Sequence, residues 1–318
     1  MDRQATQLIE NDRGLGTAYE RWCFYQLMAK WAEEYGVESA LEGPVDGMAG
    51  VRGVQCAGLA RQGVHVVASV TTEWAAAIAR GVYALAAPRA SVDVRVVADE
   101  ARVAELPASD LVLVYHALPF VDDWRRYLAA LAKLARKVFV VATCNPDNWG
   151  FTAVRLLGRV QAPDVWKTEI LSPVLWELGR VREHVYFDAP WWPDLPVAPG
   201  QSLSNRLKQL VAGNGGARFA PPERDAVLAP KYVYGAERWP YFGGPGWLEE
   251  LEPALLRHPA FEGAGAKIVQ RMARLHAFVV DVRPRTPQAR RKLAQIDVHG
   301  PASEAAATKD GRDAVRTA

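Results

Sequence analysis

Leu41-Glu42-Gly43-Pro44-Val45-Asp46-Gly47-Met48-Ala49-Gly50-Val51-Arg52-Gly53 follows a short apolar run, and its reading decides the fold class. An acidic residue closing a buried strand, then a glycine-rich turn that opens a helix, is how an α/β sheet builds a nucleotide site. The glycines permit a tight turn and close backbone approach, and the helix N-terminus presents free N–H groups. The dinucleotide fingerprint requires G-x-G-x-x-G, whereas three residues separate Gly43 from Gly47. About twenty residues on, where a nicotinamide enzyme keeps its ribose-binding acid, stand Val67-Ala68-Ser69-Val70-Thr71. A dinucleotide is disfavoured, and another adenosine-type cofactor fits better.

Outward from this stretch, helical and strand patterns alternate. Thr17 to Tyr35 reads as a helix, with Phe24, Leu27, Met28 and Trp31 spaced i, i+3, i+4, i+7. A strand is expected at Glu38–Leu41, ending at the glycine turn, and a helix at about Gly50–Arg61. Further strands are expected at Val64–Ser69, Val92–Val97, Asp110–Tyr115 and Lys137–Ala142. Helices marked by Trp74, Ala77, Ile78 and Val82, and by Trp124, Tyr127, Leu128, Leu131 and Leu134, fall between them. Five such strands, near-continuous in apolar residues and alternating with helices, predict a doubly wound α/β fold with a parallel sheet.

Beyond Asn145 the pattern loosens. Ser172–Leu178 reads as a helix, His184–Phe187 as a strand, Leu203–Val211 and Ala266–Arg274 as helices, and His276–Val282 as a last strand. The expected organisation is an N-terminal helical segment (1–36) and a cofactor-binding core (37–188). An aromatic-rich insertion or substrate cap (189–265) follows, then the last helix and strand of the core (266–283) and a partly disordered tail (284–318).

Composition narrows the function classes. The chain of 318 residues is 50% hydrophobic and 23% charged, ordinary for a packed protein, and its net charge of +2 is too small to argue for nucleic acid. No apolar run reaches the length of a membrane span, and Met1-Asp2-Arg3-Gln4 does not lead into a signal-peptide core. Cys23, Cys56 and Cys144, odd in number and widely spaced, argue against a disulfide framework or a metal site and for the cytoplasm.

The order of these motifs resembles the class I S-adenosylmethionine-dependent methyltransferases, in particular their small-molecule branch, and the resemblance implies a doubly wound, seven-stranded, mostly parallel sheet. The first strand of that family ends in an acid and a glycine-rich loop, matched by Glu42 to Gly53. Its third ends in an acid that holds the adenine amino group, matched by Val96-Val97-Ala98-Asp99-Glu100. Its fourth leads into a loop matched by Tyr115-His116-Ala117-Leu118-Pro119, and a late helix and strand resemble Met272 to Val282. The resemblance covers roughly Thr17–Phe187 and Ala266–Arg283, and it implies S-adenosyl-L-methionine as cofactor and a small molecule as methyl acceptor. The cofactor contacts it implies are Glu42, Gly43, Asp46, Gly47, Gly50, Thr71, Glu73, Asp99, Glu100 and Tyr115.

Two positions depart from the family pattern. Its E-x-G-x-G-x-G spacing is replaced by Glu42-Gly43-Pro44-Val45-Asp46-Gly47, so Asp46 is expected to supply part of the contact expected of Glu42. The second strand lacks its terminal ribose-binding acid; either Glu73 reaches back, or the Thr71 and Thr72 hydroxyls take weaker neutral bonds.

His116, just past the fourth strand, is the candidate general base, with a cofactor-edge or packing contact as its other reading. In the loop after the fifth strand, Asn145 is a candidate substrate contact and Trp149 a candidate cover, against a rigid turn built on Pro146 and Gly150. Trp191 and Trp192 are candidates for lining an apolar substrate pocket. Arg21 either pairs with the methionine carboxylate or lies on a solvated helix face, the favoured reading. Three functions follow in order: a small-molecule methyltransferase, a cofactor- or metabolite-binding protein of that fold without turnover, and a nicotinamide-dependent oxidoreductase.

Overall fold

Apolar side chains at a 3.6-residue period put a buried stripe on α1 (Leu15–Tyr35), where Phe24, Met28 and Trp31 are fully enclosed. The helix stops because Gly36 takes φ +58°, so its N–H reaches the Glu33 carbonyl while that of Val37 reaches Ala32. The structure is a computed structural model, and it describes residues 15–47, 50–156, 163–189, 261 and 263–283. The predicted helix at Leu203–Val211, Trp191 and Trp192, most of the expected cap and the tail from Pro284 lie outside the described residues.

Seven strands form one sheet: β1 (Ser39–Asp46), β2 (His65–Val70), β3 (Val92–Val96), β4 (Ser109–Tyr115), β5 (Ala135–Cys144), β6 (Arg180–Phe187) and β7 (Leu275–Asp281). Their order is β3-β2-β1-β4-β5-β7-β6. The pairs β1–β2, β1–β4, β2–β3 and β4–β5 are parallel, and β7 alone runs antiparallel, against both β5 and β6. This is the expected doubly wound, mostly parallel sheet. The order reverses between β1 and β4, the crevice where open α/β sheets take ligands.

The remaining helices are α2 (Ala57–Arg61), α3 (Glu73–Ala86), α4 (Trp124–Ala132), α5 (Trp149–Leu156), α6 (Thr168–Leu178) and α7 (Ala266–Met272). Strand alternation divides the core. Ala40, Val66, Leu111, Leu113, Val140 and Val279 join α1, α2 and part of α3 in one continuous cluster. α1 is tied to the far edge of the sheet by Glu183 on β6, which accepts from Trp31 Nε1 at 2.7 Å and Lys30 Nζ at 2.6 Å.

Two expected boundaries move, each for a non-local reason. β1 does not end at Leu41 but runs through Gly43-Pro44 to Asp46, with a bulge between Glu42 (opposite Leu113) and Asp46 (opposite Tyr115). Pro44 has no N–H to give the ladder, and the next N–H, on Val45, donates instead to Tyr127 Oη at 3.3 Å. The helix expected from Gly50 begins only at Ala57. Residues 50–56 are held as a loop: the Val51 carbonyl accepts from Arg21, the Val54 carbonyl accepts from the Tyr25 hydroxyl, and Gly53 sits at φ +72°.

Candidate functional site

Glu42 points to the α1–α2 side of the sheet because Leu41 and Gly43 occupy the opposite face, Gly43 against Tyr127 and Leu131 of α4. Its carboxylate is 1% exposed; one oxygen accepts the Cys56 backbone N–H at 3.2 Å, and the other, Oε1, has no hydrogen-bond partner among the described residues. Burial, then the nearby Asp46, push the Glu42 carboxyl up to about 8, against the opposing pull of the Cys56 N–H and Arg21. Asp46 accepts from Gln55 Nε2 at 3.3 Å, and Gln55 Oε1 accepts from Arg21 at 2.8 Å. Arg21 is therefore a buried tie between α1 and the glycine segment, and the solvated-face reading is corrected: at 1% exposed it also donates to the Val51 carbonyl at 2.6 Å.

Gly47 is small for a different reason from the one a ligand loop implies. A Cβ there would lie 2.1 Å from the Phe120 ring and 2.7 Å from the His116 carbonyl oxygen, so the glycine lets β1 pass under the turn after β4. Gly43 is similarly close-packed, with Tyr127 Oη at 3.0 Å from such an atom, and Gly50 is a buried bend.

Near the end of β2, the buried Ser69 hydroxyl donates to the Glu42 carbonyl. Thr72 caps α3 by accepting from the Ala75 N–H at 3.1 Å. Glu73 does not reach back: its side chain is 79% exposed and faces Arg80 at 3.8 Å. Thr71 is half-buried just past the strand. Asp99 is exposed and caps the following 3₁₀ turn through Ala101 N–H at 2.8 Å; Glu100 is half-buried, its carboxyl pushed up by burial and then by Asp122.

At the end of β4 the chain turns sharply. His116 takes φ +52°, in the left-handed region that costs a residue with a Cβ. That kink breaks strand alternation and brings Tyr115 and His116 to the same carboxylate. The Tyr115 hydroxyl donates to Glu20 Oε1 at 2.6 Å, and His116 Nε2 lies 3.9 Å from the same oxygen. On its other side, His116 Nδ1 is 3.4 Å from Cys144 Sγ at the end of β5. Burial raises the Glu20 carboxyl, offset first by Arg274 and then by the Tyr115 bond; burial and then Glu20 push the Tyr115 phenol well up.

Asn145 and Asn148 are clamps. Asn145 Nδ2 donates to the Gln270 and Ala273 carbonyls at 2.7 and 2.8 Å, and its Oδ1 accepts from the Asp147 N–H. Asn148 repeats the pattern on Met272 and Ala273. The structure thus matches the rigid-turn reading of this loop, and both amide hydrogens of Asn145 are committed to backbone. Trp149 is 40% exposed at the start of α5.

Sequence reasoning missed several residues. Cys56 and Gln55 sit within the segment expected to be helical, so nothing marked them. Asp188 and Arg274 lie just beyond β6 and just before β7, and they form a buried two-pronged pair at 2.6 and 2.7 Å. A carboxylate and a cation flanking adjacent strand ends was the available signal. Among the described residues there is no group of metal-ligating side chains and no helix long and apolar enough to cross a membrane.

No family model matches the chain, and no curated protein matches it. Solved structures do. A magnesium protoporphyrin IX methyltransferase from Synechocystis PCC 6803 with bound S-adenosylhomocysteine is 18% identical, covering 51% of this chain and 74% of that one, with a TM-score of 0.41. A SAM-dependent methyltransferase from Archaeoglobus fulgidus is 14% identical over 81% of this chain and 94% of that one, TM-score 0.38. A cyclase, SpnF, is 14% identical over 81% of each, TM-score 0.40. The strand order, with its single reversed strand between β5 and β6, is the doubly wound, mostly parallel sheet that the resemblance to the class I S-adenosylmethionine-dependent methyltransferases implies.

Proposed function

We propose that this protein is an S-adenosylmethionine-dependent methyltransferase acting on a small molecule, in the cytoplasm. One observation carries the reading: on β1, where the strand order reverses, Glu42 has a buried carboxyl oxygen with no partner among the described residues. A buried carboxyl is left so only at a cost, which a cationic ligand offsets. The amino group of the cofactor is such a cation, and Glu42 ionises to meet it.

S-adenosylmethionine supplies a methyl group already activated on a sulfonium. The residues of this chain bind and align. Glu42 and Asp46 hold the charged end, with Gly43, Gly47 and Gly50 shaping the segment between β1 and α2. Thr71 takes the ribose through a neutral hydrogen bond, and Asp99 and Glu100 lie where the third strand meets the adenine. Tyr115 borders the crevice from β4, and methyl transfer itself needs mainly alignment. His116 takes the acceptor's proton, with Glu20 stabilising the imidazolium that results. Trp149, with Trp191 and Trp192, covers the substrate.

A second reading, a binding protein of this fold without turnover, is favoured by one feature: Ser69 and an outward Glu73 leave the ribose position without an acid. Calorimetry with S-adenosylmethionine, S-adenosylhomocysteine and NAD separates the cofactors, and NAD binding without S-adenosyl binding defeats the proposal. Methyl-labelled cofactor supplied with a metabolite extract separates the two readings: a labelled product means turnover, and tight binding with no product means the second.

A further inference from the structure

Cys144 closes β5 on the sheet face shared with Tyr115, and its sulfur lies 3.4 Å from His116 Nδ1. The opposite ring nitrogen, Nε2, faces Glu20 Oε1 at 3.9 Å, and that oxygen is fixed by the Tyr115 hydroxyl at 2.6 Å. The imidazole thus stands between a thiol and a carboxylate, held there by a left-handed backbone at His116. We propose that Cys144, His116 and Glu20 form a thiol–imidazole–carboxylate array in which the Cys144 sulfur is a nucleophile for soft carbon electrophiles entering the crevice.

The chemistry follows from the order of the three groups. His116 Nδ1 takes the thiol proton, and Glu20, facing the opposite ring nitrogen, stabilises the imidazolium beside the thiolate. With an alkyl electrophile, the S–C bond forms as the leaving group departs with its electron pair. With an activated alkene, the displaced pair moves to the carbon beside the carbonyl, and His116 returns the proton there. Neither reaction needs an oxidant or reductant.

The neighbouring groups are compatible with this charge arrangement. Arg21 on α1 is committed to Gln55 and Val51, and Arg274, before β7, is paired with Asp188. His276 on β7 is pushed down to about 3, first by burial and then by His184, so it adds no competing cation. Cys56 is the contrasting case: burial and then Glu42 push its thiol up.

Alkylation of the full-length protein by iodoacetamide, followed site by site with mass spectrometry, tests the array and requires neither cofactor nor substrate. Cys23, 6% exposed against 7% for Cys144, is the internal control of comparable burial. At pH 7 Cys144 is expected to react at least about tenfold faster than Cys23, with a rate that persists below the ordinary thiol midpoint of about 8.5. His116→Asn tolerates the left-handed backbone, and Glu20→Gln keeps an acceptor for Tyr115. Each is expected to slow Cys144 several-fold and raise its pH midpoint while leaving Cys23 unchanged. Equal rates at Cys144 and Cys23, or a Cys144 rate that Glu20→Gln does not alter, overturn the proposal. Circular dichroism establishes that each variant folds; if His116→Asn does not, the wild-type pH profile and Glu20→Gln decide.

Discussion

Glu42 Oε2 accepts the Cys56 backbone N–H at 3.2 Å, while Oε1 of the same buried carboxyl has no partner among the described residues. Raised to about 8, this carboxyl is protonated in the fold at neutral pH. Its stability contribution is complete below the unfolded value near 4.5 and is lost as pH rises through 8. Glu42→Gln removes that loss and keeps an acceptor for Cys56. The variant is expected to melt with the wild type at pH 4.5 and above it at pH 8. Calorimetry is expected to show S-adenosylhomocysteine affinity reduced about tenfold or more, the scale of a hydrogen bond to a charged group.

Gly47→Ala is expected to destabilise the fold by about 1–3 kcal/mol, the usual cost of overpacking. The added methyl meets Phe120 and the His116 carbonyl, neither of which yields without moving the turn after β4. Gly43→Ala, with its nearest neighbour the Tyr127 hydroxyl at 3.0 Å, is expected to cost less. Thermal melts of the two variants check the ranking.

Asp188→Asn isolates a charge. Asp188 is fully buried at φ +59°, a conformation asparagine adopts readily, so the substitution leaves the backbone and removes the counter-ion of Arg274. Removing one partner of a buried ion pair costs up to about 3–5 kcal/mol, and less here because Glu20 also lies near Arg274. Denaturant midpoints are expected to fall accordingly.

His184 and His276, joined Nε2 to Nδ1 at 2.9 Å across β6 and β7, are held neutral, pushed down by burial to about 4 and about 3. The unfolded chain binds protons there that the folded chain refuses. Stability from the pair is complete above about 6.5 and is lost as pH falls toward 3, with a slope of about 1.4 kcal/mol per pH unit for each proton. His276→Gln is expected to flatten that acid limb in a series of melts from pH 7 to pH 4.

Much of the fold was legible because its signal is local. The apolar runs Leu111–Val114 and Val138–Ala142 are fully buried in the central strands, and Phe24, Met28 and Trp31 fix the buried face of α1. The site was legible by place and not by role. Glu42 lies on β1 and His116 just past β4, yet Asn145 is a backbone clamp and Glu73 faces solvent, because amide and carboxylate partners were supplied by Ala273 and Arg80, the first far away in sequence.

The sequence by itself determined the alternation of strands and helices and the position of the acid–glycine segment, since hydrophobic period and glycine or proline content act within a few residues. Only the tertiary structure decided that β1 runs on through Pro44, that residues 50–56 stay a loop, and that Glu20 meets both Tyr115 and His116. Each depends on partners brought together by the sheet: Tyr127 for the Val45 N–H, Arg21 and Tyr25 for the loop carbonyls, and a left-handed turn at His116. A buried polar group must be satisfied wherever a partner lies in space, and spacing along the chain does not carry that information.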